Sequence, residues 1–74
     1  MKLVQVEWTD SAFTQGWQRK DAKCFPSKCK TAGYLVESSK KHVVVAMDVN
    51  EDGGYAEAVA IPRSCVQKIR KLKF

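Results

Sequence analysis

KHVVVAMDV (residues 41–49), NEDGG (50–54) and YAEAVAIP (55–62) decide the fold. Val43, Val44 and Val45 are β-branched, and such side chains are stiff at χ1 and pack well on a pleated surface. Residues 41–49 are therefore expected as a strand, and apolar residues on both of its faces predict a central place in the sheet. NEDGG interrupts the pattern. Its two glycines can supply positive φ without steric cost, which predicts a tight turn. Residues 55–61 then alternate, Tyr55, Glu57, Val59 and Ile61 against Ala56, Ala58 and Ala60, the period of a half-buried strand. Pro62 has no N–H to give to a ladder and ends the strand.

Upstream, Val4, Val6 and Trp8 alternate with Leu3, Gln5 and Glu7, a first strand with one apolar and one largely polar face. Trp8 is assigned to the core. Thr9-Asp10-Ser11 favours a turn, because short polar side chains compete for local backbone hydrogen bonds. Residues 18–31 show neither period 2 nor period 3.6 and read as a long surface loop, a kind of segment that is often functional. A second strand is expected over residues 33–37, joined to the next by Ser38-Ser39-Lys40. The tail has two readings. Ser64 with Gln67 matches a capping box, and Cys65, Val66, Ile69, Leu72 and Lys73 would make an amphipathic helix. The alternative, which we favour, is a 3₁₀ turn at residues 62–65 and a closing strand at 67–71 that covers the exposed edge of the first strand.

The chain has 74 residues, enough for one domain. The net charge of +5 is uneven: residues 1–17 sum to −1, 18–30 to +4, 31–62 to −3 and 63–74 to +5. Two basic segments around an acidic middle are compatible with a polyanionic partner. The longest apolar run, residues 43–47, is far below the roughly 20 residues of a membrane-spanning helix. Three cysteines, an odd number, and no secretory leader point to a reducing cytoplasm rather than a disulfide framework.

The order of elements, with Ile61-Pro62-Arg63 leading to Val66, Ile69 and Leu72, resembles the small five-stranded barrels of the SH3-like and Sm-like type, which place a 3₁₀ turn before the last strand. More narrowly, Val6-Glu7-Trp8 with Asp10-Ser11 and Gly16-Trp17, then Gly33-Tyr34-Leu35-Val36 and Ile61-Pro62-Arg63, is similar to short uncharacterised proteins of bacteriophage genomes. The resemblance implies an all-β, five-stranded SH3-like/Sm-like barrel with a long loop between its first two strands, working in the host-cell cytoplasm as a binding module. Ser38-Ser39-Lys40-Lys41 stands where Sm proteins have an Asn-containing, uracil-holding loop, so the resemblance does not extend to that site.

The eight carboxylates form no evident catalytic pair, and Asp48, Glu51 and Asp52 cluster at a turn tip, where solvation accounts for them. With one histidine and neither a phosphate loop nor a nucleophile elbow, the expectation is no enzyme. Phe13 and Trp17 read either as an exposed stacking or docking platform beside Arg19 and Lys20, or as caps on an open barrel end. Cys24, Cys29, His42 and Cys65 match the composition of a Cys₃His zinc site, and the four-residue spacer between Cys24 and Cys29 suits one. Free cysteines are also common as small buried hydrophobes, and that reading is preferred, with no cofactor expected. Among Lys68, Arg70, Lys71 and Lys73, a strand would divide the charges between two faces, whereas a helix would gather more of them on one. The candidate binding residues are Phe13, Trp17, Arg19, Lys20, Lys23, Arg63 and Arg70. The expected partner is a host or phage protein, with nucleic acid or a nucleotide as the alternative and a homo-oligomer built on open sheet edges as the next.

Overall fold

Alternating burial in Leu3–Asp10 makes β1: Val4 and Val6 are buried while their neighbours are half exposed. The computed structural model describes residues 1–11, 16–23 and 25–73, with β2 at Ser27–Ser38, β3 at His42–Val49, β4 at Tyr55–Pro62 and β5 at Val66–Lys71. A 3₁₀ turn, Arg63–Cys65, separates β4 from β5, so the turn-plus-strand reading of the tail holds and the helix does not form. All pairings are antiparallel, in the order β4-β3-β2-β1-β5.

Three expectations need correction. Residues 27–31, read as the end of a loop, form the first part of β2, because pairing with β1 from Asp10–Ser27 to Leu3–Tyr34 supplies order that their own composition does not. The same pairing keeps Thr9 and Asp10 in β1 instead of a turn. The valine-rich β3 takes the interior place expected of it, between β2 and β4, with β2 as the middle strand. In the turn after β3, Gly53 takes positive φ (86°), whereas Gly54 does not and instead donates its N–H to Asn50 Oδ1 at 2.7 Å.

Strand β2 changes partners along its length. Residues 27–34 pair with β1, and from Tyr34 onward the ladder is with β3, interrupted by a register shift between Leu35 and Glu37. Such a bulge bends a strand and increases its twist. Gly33 sits at the handover. A Cβ built there would lie 2.5 Å from the Ala46 carbonyl oxygen and 2.9 Å from Val45 Cγ1, so the two chain segments touch where a side chain would stand.

The bend gives the molecule its core. In a flat sheet β1 and β4 would be three strand spacings apart, about 14 Å. Yet Val4 and Val6 of β1, Val43 and Val45 of β3 and Ile61 of β4 form one buried cluster, joined by Trp8, Leu35, Val59, Cys65, Val66 and Ile69. The sheet must therefore curl, with the 3₁₀ turn against both β1 and β3 at one end. Trp8 is half buried, as its core assignment requires, and its indole Nε1 donates to Thr31 Oγ1 at 2.9 Å. The sheet stays open: β4 and β5 are its two edges. The radius of gyration, 15.4 Å, exceeds the roughly 11 Å of a compact chain of this length.

Candidate polyanion-binding face

Residues paired directly across antiparallel strands share a face. Since Val4 and Val6 point into the core, Gln5, Glu7 and Thr9 point away from it. Thr9 is opposite Lys28 and Glu7 opposite Lys30 on β2; on the other side Glu7 is opposite Lys68 and Gln5 opposite Arg70 on β5. Lys28, Lys30, Lys68 and Arg70 therefore lie on one outward face, in two tracks with Glu7 between them. The four cations are exposed. Glu7 Oε2 is 3.4 Å from Arg70 Nε, a partly exposed pair worth a fraction of a kcal/mol in stability. A register shift in the β1–β5 ladder beside Trp8 frees Gln67, whose Nε2 donates to Thr9 Oγ1 at 3.4 Å. A depression of about 370 Å³ opens at this end, lined by Glu7, Thr9, Lys28, Lys30 and Gln67 together with Trp8 and Cys29.

A strand tail was expected to scatter the basic residues, and it does separate Lys71 from Arg70. Lys71 is opposite Val4, on the core side. Beside it the Lys2 amine titrates below its ordinary range, first through its hydrogen bond with Lys71 and then through that group's charge. The pair repels when both amines are protonated, and the repulsion fades as pH rises through the lowered Lys2 value. The coherent patch arises from β5 and β2 flanking the same strand.

Of the residues singled out from sequence, Arg70 lies in this face. Arg63, in the 3₁₀ turn, lines a neighbouring depression with Lys68. Arg19, Lys20 and Lys23 are exposed on the segment between β1 and β2, where Arg19 Nε is 3.5 Å from Asp21. Trp17, on the same segment, is fully exposed, which overturns its reading as a cap on the core; Phe13 lies outside the described residues. Phe25, not singled out, is 68% exposed near the return to β2. Lys28, Lys30 and Lys68 lie in the two basic segments read as compatible with a polyanionic partner but were not among the candidate binding residues, although Lys28-x-Lys30 and Lys68-x-Arg70 both show the two-residue period that puts side chains on one face of a strand.

The described members of the zinc set, Cys29, His42 and Cys65, are not brought together. His42 opens β3 and contacts Glu37, Cys29 is on β2 opposite Trp8, Cys65 is in the 3₁₀ turn, and Cys24 lies outside the described residues. Cys29 and Cys65 are free thiols, and among the described residues no three His, Cys, Asp or Glu side chains are grouped as metal ligands. Nor is any helix among them long and apolar enough to cross a membrane. Comparison with protein families, curated proteins and solved structures finds no match to the chain.

Proposed function

We propose that this chain is a non-enzymatic binding module whose β5-β1-β2 face holds a nucleic acid in the cytoplasm. The observation that supports it is the placement of Lys28, Lys30, Lys68 and Arg70 on one exposed face, with Glu7 as the acid among them. We read the curled sheet as an open barrel of the SH3-like/Sm-like kind; the strand order, the bend in β2 and the 3₁₀ turn support that reading.

Four phosphate contacts to a single strand predict a slope of about −3 in log K against log salt, or a loss of about 50-fold between 50 and 200 mM. Replacing Lys30 and Lys68 together by Gln should reduce the slope by about 1.4. The same double change at Lys40 and Lys41, on the β2–β3 connection, should leave it nearly unchanged. Fluorescence anisotropy with a labelled oligonucleotide checks both. Flat salt dependence, or equal losses from the two double variants, defeats the reading. Preferential binding of polyglutamate would assign the face to an acidic protein instead.

A second reading rests on a different observation, the full exposure of Trp17. A bare indole between two strands suits docking on a host or phage protein, since aromatic anchors dominate protein interfaces. Trp17→Ala should then abolish capture of a defined partner from host lysate while leaving oligonucleotide affinity unchanged. Capture that survives the substitution counts against this role for Trp17.

A further inference from the structure

A carboxylate at the centre of a phosphate-binding face is unexpected on electrostatic grounds, because it repels the ligand its neighbours attract. Glu7 is in register with Lys30 on one side and Lys68 on the other, so it divides the cations into two tracks two strand spacings, about 10 Å, apart. Its side chain is 28% exposed, and Arg70 sits beside Oε2. It also borders the depression of about 370 Å³, within the range of small-ligand pockets. The rest of the lining mixes the apolar Trp8 and Cys29 with polar groups, among them the Gln67 amide, which keeps a second N–H to donate beyond its bond to Thr9.

An ionised carboxylate accepts hydrogen bonds and donates none. Its two oxygens match two adjacent N–H donors, and such bidentate, charge-assisted pairs are the strong ones. Among the bases, guanine alone presents that pair on its Watson–Crick edge, N1–H beside the N2 amine, with O6 as an adjoining acceptor. In a duplex this edge is occupied by pairing, whereas an unpaired base offers it freely. We infer that Glu7 reads an unpaired guanine in single-stranded nucleic acid. Resting on the nucleic-acid reading above, the assignment places N1–H and N2–H on the Glu7 carboxylate, O6 against the Gln67 amide, and the adjoining phosphates along the cationic tracks. Arg70 orients the carboxylate. The acid thus trades general affinity for base selectivity.

The test uses the full chain and fluorescein-labelled 12-mers of thymidine with one central deoxyguanosine, deoxyinosine or deoxyadenosine, beside the all-thymidine 12-mer, each at about 50 and about 200 mM salt. The guanine oligonucleotide should bind about 10-fold more tightly than the adenine one. Inosine keeps N1–H and O6 but lacks the N2 amine, and should lose most of that advantage. Glu7→Gln should bring all four within about two-fold and raise the affinity for the all-thymidine strand, since a repelling charge is gone. Equal affinities in the native chain, or a guanine preference that persists in Glu7→Gln, would overturn the proposal. The guanine–inosine comparison needs no variant. No salt-sensitive binding of the all-thymidine strand removes the nucleic-acid reading itself and Glu7's role with it. Such binding without base preference removes Glu7's role alone.

Discussion

Gly33→Ala is expected to lower the melting temperature by about 10–20 °C, the consequence of losing about 3 kcal/mol in a domain of this size. The effect is steric. A methyl group at residue 33 would meet the Ala46 carbonyl oxygen at 2.5 Å and Val45 Cγ1 at 2.9 Å, and a backbone oxygen held in a sheet ladder cannot move aside as a flexible side chain can. The position is buried opposite Val4, where β2 passes from β1 to β3, so relief would require opening one of the two ladders. A chain of 74 residues has a total stability of about 4–10 kcal/mol, and the substitution removes a large part of it. Thermal unfolding followed by circular dichroism gives the answer. A shift under about 2 °C would mean that the strands do not approach so closely at the bend.

Ile61→Ala should cost about 3–4 kcal/mol. Ile61 is fully buried and is the largest side chain so enclosed among the described residues, reaching from edge strand β4 into the cluster formed by Val4, Val6, Val43 and Val45. Its loss leaves a cavity between the two halves of the curled sheet, with few neighbours able to collapse into it. Ile61→Val should cost about 1 kcal/mol, and Met47→Ala, at a side chain 70% exposed, close to nothing. Urea titration distinguishes these cases. A loss at Ile61 no larger than that at Met47 would show that β4 does not fold over the core.

Much of the fold is legible in local pattern, for stated reasons. Alternation at Val4, Val6 and Trp8, the β-branched run at 43–45 and the punctuation by Gly53 and Pro62 act over two to five residues, and such signals survive in an isolated sequence. Segment 27–31 was not legible because Ser27, Lys28, Cys29 and Lys30 have little strand propensity of their own; their order comes from β1, about 20 residues away along the chain. The same distance hid the candidate face. Lys28-x-Lys30 and Lys68-x-Arg70 each specify a side of a strand, but nothing local says that one strand will lie between them.

The tail shows the boundary from the other direction. Both a capping box and a closing strand fit Ser64 to Lys71, and the choice depends on whether an unpaired edge of β1 is available. It is, and the backbone groups of β5 that face β1 pair along it, with Gln67 bulged out of the ladder.

The sequence by itself determined an all-β chain, the hairpin of residues 41–62, the alternation of β1 and the stop at Pro62, because each rests on the steric preferences of a few adjacent residues. Tertiary structure alone decided that β2 is the middle strand, that Gly33 marks its bend, and that Lys28, Lys30, Lys68 and Arg70 share one face around Glu7. Those depend on which strands become neighbours, and that is settled by burying Val4, Val6, Val43, Val45 and Ile61 together, a requirement of the whole chain that no short segment encodes.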